Sequence, residues 1–495
     1  MPRVSLDRSL TWQEVAEVAE GAPLDLTQAA LSRIDDAAAI VQAIVERGIR
    51  AYGVNTGVGA LCDVVVERPL QQQLSHNILM SHATGVGAPL PVVETRAIMA
   101  AAINNYAHGH SGVRREIPQA LAALLNAGLT PLVPARGSVG YLSHMAHIAL
   151  VLVGTGSVRD GDRTVSAAEA LAKAGLEPLQ LQAKEGLSLV NGTPCATGLA
   201  CLALARANRL LSWADAIAVM TMENLGTNPA AFAPEALTLR HSDGLQEVGA
   251  RLRAYLEGSD IVAATIGKRT QDALSLRAVP HVHGAACDLF EDAAAVIDRE
   301  LASVTDNPLV TGTPEAPQVH SQAHAVGAGL GLALDGLATA IAEVAAMSER
   351  RLDRLLNPIV SGLPAFLAAE GGAASGFMIA QYAAVSLVNE NRRLAAPASL
   401  DGGITSALQE DHLSHPTPAA LKALAIVENA TRLLAIEWLA AGQAYAFQTE
   451  ARAPATDRLF AQLRGLIAFY ADDRPLSQDM ETAFQFLSSE QPATR

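Results

Sequence analysis

The sequence predicts a mainly α-helical protein, a long antiparallel helix bundle carrying a loop-rich N-terminal head. Three observations carry that reading. Half of the 495 residues are hydrophobic but only 4% are aromatic, and the abundance of Ala and Leu favours close-packed helices over a sheet core rich in β-branched and aromatic side chains. Long runs after Thr197 repeat apolar residues at three- and four-residue spacing. Gly-rich polar stretches, by contrast, crowd the chain before that point.

In chain order, MPRVSLDRSLTWQEVAEVAEG has no apolar core of signal-peptide length and reads as a short lead into an amphipathic helix. Short helical patterns then alternate with YGVNTGVGAL, SHATGVGAPLP, NNYAHGHSGV, PARGSVG and LSLVNGTPCATG, loop segments in which several backbone positions favour φ > 0. TGLACLALARANRLLSWADAIAVMTMENL opens the helical part. In HVHGAACDLFEDAAAVIDRELASVTDNP, Val282, Ala286, Leu289, Ala293, Val296, Leu301 and Val304 step by helical intervals until Asn307-Pro308 stops the run. GLGLALDGLATAIAEVAAMSERRLDRLLNP ends the same way at Asn357-Pro358. Residues 1–196 are therefore read as the head, carrying the chemistry, and 197–495 as the central bundle with its C-terminal helices, fused into one body. HMAHIALVLVGTG is broken by His and Gly short of the roughly 18 apolar residues that cross a bilayer, so no membrane association is expected.

A formal charge of −15 argues against nucleic acid as a partner, because binding a phosphate backbone needs clustered Lys and Arg. Cys62, Cys195, Cys201 and Cys287 follow neither zinc spacing nor a dense disulfide pattern, which predicts a reduced, cytoplasmic setting. Cys195 is the one of the four expected near a site. No metal is expected: His281 with His283, and His108 with His110, have no acidic or Cys partner at ligand spacing.

The polar side chains set among glycines are the candidates for chemistry. AYGVNTGVG offers Tyr52, Asn55 and Thr56, and a phenol serves as a base only if its ordinary pKa of about 10 is lowered. SHNILMSHATGVG offers His76 and His82, and NGTPCATG offers Asn191. RTQDALSLRAVPHVHG combines Gln271 and Arg277 with its two histidines, while SQAHAVG and SALQEDHLSH add Gln322, His324, Gln409, Glu410 and His412. GVNTGVGA lacks the Gly-Lys-Ser/Thr ending of a nucleotide loop. On residues alone these make a pocket rich in Tyr, Asn, Gln, Arg and Glu for a small polar or zwitterionic ligand, with a structural role for each lone His or Asn still open.

YGVNTGVG, LSHATGVG, PARGSVG, KEGLSLVNGT, QDALSLR, SVTDNPLV, SGFMIAQ and ENRRLAAPASLDGGITSALQEDHLS, in this order from Tyr52 to Ser414, resemble the aromatic amino-acid lyase family, whose best-known type is histidine ammonia-lyase. The resemblance implies a histidine ammonia-lyase/fumarase-like fold, a homotetramer with active sites shared between subunits, and a small amino acid or betaine as substrate. It makes Tyr52 the catalytic base for a β-proton and sets His82 on the ring side of the pocket. It places Asn191 near the amino group and Arg277 on the carboxylate, a task suited to a planar bidentate donor. Gln271, Gln322 and Glu410 complete the polar wall, Glu410 standing where an imidazole-binding enzyme places a carboxylate.

Three positions depart from that family. Its deaminating members carry Ala-Ser-Gly after GSVG, which cyclises into a methylidene-imidazolone electrophile, whereas here Gly140 is followed by Tyr141. With His147 aligned to the family's downstream His, the helix stays in register and those three residues are missing. The Ala-Ser-Gly at Ala374–Gly376 falls in a different landmark. Leu274 stands where the family has a Tyr, and Ala323 where it has a Phe. Together these altered pocket positions predict that no such cofactor is used and that the α-nitrogen arrives already activated. That is the logic of ergothionase, which releases trimethylamine from ergothioneine to give thiourocanate, and Leu274 and Ala323 would make room for the trimethylammonium head. The alternatives are a histidine or aromatic amino-acid ammonia-lyase that releases ammonia, or a non-catalytic binding relative.

Overall fold

In the computed structural model, which describes residues 2–400 and 402–493, the apolar periodicity becomes helix where it was expected. Pro194–Asn224, Val279–Leu301 and Ala328–Leu356 are long helices, and the last two end ahead of Asn307-Pro308 and Asn357-Pro358. Proline has no N–H to donate and restricts the residue before it, so the last of these helices stops at Leu356, directly before Asn357-Pro358, whereas Val279–Leu301 already ends short of Val304 and of its proline. Asn357 then restarts the chain, its Oδ1 accepting from Ile359 N at 3.1 Å at the head of Pro358–Ser361. A further long helix covers Pro416–Ala444. Near the N-terminus, Thr11 caps Trp12–Ala19 reciprocally: its Oγ1 accepts from Glu14 N at 3.3 Å, and Glu14 Oε2 accepts from Thr11 N at 2.8 Å. Two helical stretches, Glu185–Asn224 and His324–Leu356, are long and apolar enough to cross a membrane, and the apolar window of the first is wholly buried inside the protein, the placement of a core helix.

The chain forms two compact units. The first comprises 1–205, 293–335 and 397–421, and the second 206–292, 336–396 and 422–495. The loop-rich region thus shares its unit with two later segments. All named strands lie in the first unit: a parallel pair Val4–Leu6 with Leu24–Leu26, antiparallel pairs Val86–Pro89 with Pro134–Arg136 and Leu309–Gly312 with Pro317–His320, and a three-stranded sheet ordered Leu129–Pro131, Ser157–Asp160, Arg163–Ser166. Its core includes Ile98, Ile103, Leu121, Leu124, Leu199 and Leu204, each contributing about 1.5–3 kcal/mol when fully buried. The second unit is helical among its described residues and centres on Trp213, whose ring lies 5.1 Å from Trp438 and 6.0 Å from Phe486.

Four pieces of the first unit converge on one place. Helix Gln71–His82 ends on His82, and helix Glu185–Val190 ends at Asn191. The GSVG turn follows strand Pro134–Arg136, with Gly140 at φ 149° and Leu142 at φ 73° immediately before helix Ser143–Leu152. A Cβ on Gly140 would meet Pro416 Cδ at 2.7 Å, so glycine is required by contact as well as by conformation. The fourth piece, 405–410, closes through a bridge between Thr405 and Glu410 and holds Ser406, Ala407 and Leu408 at φ 52°, 49° and 73°.

Candidate active site

These segments enclose a cavity of about 810 Å³ lined by Tyr52, His82, Tyr141, Asn191, Gln322, Ala323 and Glu410, among others. Seven of the ten positions that the family resemblance singled out thus meet at one site. Gln271, Leu274 and Arg277 belong to the second unit and are not among the lining residues. The Gln271 amide, read with its oxygen toward Arg277, accepts from the guanidinium Nη1 at 2.8 Å and Nε at 2.9 Å. Leu274, expected as a pocket residue, is 63% exposed at the start of the short helix Leu274–Arg277.

Tyr52 sits on the Gly-rich turn, and its hydroxyl oxygen accepts from Gly59 N at 3.2 Å. Burial raises its phenol above the ordinary value; the Gly59 hydrogen bond opposes this and the Glu410 carboxylate adds to it. The lowered pKa expected of a base is therefore not produced by the surroundings this chain supplies, because the cavity's charges are the carboxylates Glu410 and Asp411, with neither Lys nor Arg among its described lining residues. Such a lining favours a cationic ligand.

Tyr141 occupies the position directly after Gly140, and its hydroxyl donates to Glu410 Oε2 at 3.0 Å; Thr405 Oγ1 donates to the same oxygen at 3.3 Å. Burial raises the Tyr141 phenol strongly, with the Glu410 charge next, so it stays a donor. His82 places Nδ1 3.0 Å from Ser81 Oγ, and burial lowers its pKa, keeping the ring neutral near pH 7. Asn191 Nδ2 donates to the Asn307 carbonyl at 2.5 Å. Gln322 uses its amide internally, with Nε2 donating to Asp306 O at 2.8 Å and Oε1 accepting from His324 N at 2.6 Å. Gln322 therefore shapes the wall more than it reaches into the cavity.

Sequence reasoning missed several lining groups. Asn307 lies inside the SVTDNPLV landmark and so had a signal, whereas Ser321, Thr405 and Asp411 had less; Gln409 and His412, named from the sequence, do line the cavity. The cysteine expectation is corrected: Cys62 lines the cavity, whereas Cys195 is buried and its thiol is pushed up to about 12 by desolvation. Three of the four paired histidines have structural partners: His283 Nδ1 lies 2.7 Å from Asp215 Oδ1, His108 Nε2 2.8 Å from Leu301 O and His110 Nδ1 2.9 Å from Val310 O.

Four likenesses bear on what this cavity does. The family described as aromatic amino acid lyase matches residues 10–465. A histidine ammonia-lyase of Symbiobacterium thermophilum is 45% identical over 487 residues, covering 97% of this chain and 96% of the relative. Among solved structures, histidine ammonia-lyase from Trypanosoma cruzi matches with a TM-score of 0.91 at 35% identity over 99% of this chain and 94% of its own. Ergothionase from Treponema denticola, solved with desmethyl-ergothioneine sulfonic acid, matches with a TM-score of 0.91 at 25% identity over 99% of both chains. The helical lyase fold is thereby shown, but the expected place in an ergothionase-like branch is not supported, because identity is higher to proteins named histidine ammonia-lyase.

Proposed function

We propose, from the premise that this chain belongs to the aromatic amino acid lyase family and is a carbon–nitrogen lyase, that its substrate is an imidazole-bearing α-amino acid and that it eliminates the α-nitrogen. The observation that carries this is the meeting of Tyr52, His82, Asn191 and Glu410 around one cavity with an anionic lining. The names of the relatives support L-histidine as substrate and ammonia as the amine released. In the elimination the Cβ–H bond breaks, its electron pair forms the Cα–Cβ double bond, and the Cα–N bond breaks with its pair leaving on nitrogen. Tyr52 is assigned the β-proton. Its raised phenol needs a nearby cation before it can act as a base, and the substrate's own ammonium, or Arg277 delivered by another subunit of a homotetramer, would supply one. Glu410 faces the ring: a carboxylate there holds an imidazolium, and an imidazolium draws electrons from Cβ and makes its proton easier to remove.

The residues present do not fit a methylidene-imidazolone. Three consecutive residues, Ala-Ser-Gly, would have to cyclise, and the chain instead runs Gly140-Tyr141-Leu142-Ser143 with the Leu142 amide donating to Val190 O at 2.9 Å. In Ala374–Gly376 the amides of Ser375 and Gly376 donate to Asp473 at 2.7 and 3.0 Å, and that segment is not among the cavity's lining residues. No step is therefore routed through that group. The same observation favours a second reading, in which the α-nitrogen is a trimethylammonium, as in histidine betaine or ergothioneine, and departs as a neutral tertiary amine without prior capture.

The experiment is to incubate the purified protein separately with L-histidine, histidine betaine and ergothioneine and to quantify ammonia and trimethylamine. Ammonia from histidine alone establishes the first reading. Trimethylamine from a betaine, with no ammonia from histidine, overturns it in favour of the second. Neither amine from any of the three overturns both.

A further inference from the structure

Lys184 lies outside the cavity lining and has no part in the chemistry derived above. It stands at φ 71° immediately before helix Glu185–Val190, and both its side chain and that of Asp306 are fully buried. Its Nζ donates to Ser111 O at 2.6 Å, Ser188 Oγ at 2.7 Å and Asp306 Oδ2 at 3.2 Å. Burying two charges costs about as much as their attraction returns, so such a pair is weak evidence for a stabilising role.

What the pair holds is the turn that builds one wall of the site. Asp306 Oδ1 accepts from Asn307 N at 2.8 Å, and Asp306 O accepts from Gln322 Nε2 at 2.8 Å. Asn307 Oδ1 accepts from Gln322 N at 2.9 Å, and Asn307 O accepts from Asn191 Nδ2 at 2.5 Å. Asn191, Asn307 and Gln322 all line the cavity. We propose that Lys184 is a positioning residue for the reaction: its ammonium pins Asp306, and through the 306–307 turn it fixes Asn191 and Gln322, whose side chains form part of the cavity wall.

Lys184→Met alone would strand a buried carboxylate and lower stability whatever its role. The informative variant is Lys184→Met with Asp306→Asn, which neutralises both partners and retains an acceptor for Asn307 N. The expectation is a melting temperature close to wild type, faster amide hydrogen exchange at Asn307 and Gln322, and kcat/KM on the productive substrate lowered roughly 10- to 100-fold, the scale of a small misplacement of binding groups. Unchanged exchange, or unchanged kcat/KM in a well-folded double variant, overturns the proposal. If the double variant melts early, Asp306→Asn alone breaks the ion pair while keeping an acceptor for Asn307 N and leaving Nζ bonded to Ser111 O and Ser188 Oγ. It is expected to lower kcat/KM by roughly threefold or more, and no change overturns the proposal. Turnover rests on the function proposed above, whereas exchange does not, so a wild-type protein inactive on all substrates refutes that function and still leaves the exchange result to decide the role of Lys184.

Discussion

At the scale of single residues, Tyr52 and Tyr141 share a cavity and are proposed to do different work. Tyr52 is assigned the β-proton, and Tyr52→Phe keeps the ring while deleting the hydroxyl. General-base removal of this kind is worth roughly 100- to 10,000-fold in rate, so kcat should fall by that factor with the melting temperature little changed. Steady-state kinetics beside a melting curve checks both. Tyr141→Phe removes a donor to Glu410 Oε2, a hydrogen bond to a charged group worth about 1.5–3 kcal/mol when intact. Tyr141 is only half-buried, so water can replace part of that bond, and a loss of about tenfold in kcat/KM is expected. A larger loss than that of Tyr52→Phe would reverse the two assignments.

At the scale of elements, the turn after strand Pro134–Arg136 decides the cavity's shape. Gly140→Ala would press a methyl group against Pro416 at a backbone angle that L-residues rarely adopt. Overpacking of this kind costs about 1–3 kcal/mol, read as a lowered melting temperature and denaturation midpoint. The long helices were legible in the sequence because period and stop signals are local: Asn357-Pro358 ends a run whose apolar spacing is visible residue by residue, and only the exact end of Val279–Leu301 was read too late. The 405–410 segment was legible only as a landmark. Three successive non-glycine residues there hold positive φ, a conformation fixed by tertiary contacts such as Ser406 Oγ accepting from Ala60 N at 3.2 Å and by nothing in their own propensity. For the same reason the sequence offered Gln322 as a ligand group, while its amide is consumed by Asp306 and His324, and it passed over Cys62 in favour of the buried Cys195.

At the scale of the whole molecule, burial holds His82, His108, His144, His147 and His283 below the ordinary histidine value. The unfolded chain therefore takes up protons at a higher pH than the folded one. Their contribution to stability is complete above about pH 6.5 and is lost as pH falls through the lowered folded values. Calorimetric melting should be nearly level from pH 8 to 7 on this account and drop progressively toward pH 5; a rise in melting temperature on acidification would contradict it. Family membership and helical architecture follow from the whole chain, but the proposed reaction turns on the site where Gly140 meets Tyr141. The proposed elimination forms a conjugated acrylate at this site as Tyr52 removes the β-proton. The direct measurement is the growth of ultraviolet absorbance when wild type and Tyr52→Phe are each mixed with L-histidine and histidine betaine. A new conjugated chromophore from at least one substrate with wild type, slowed at least about 100-fold in the variant, is the predicted result. No chromophore from either substrate, or equal rates from the two proteins, would contradict it.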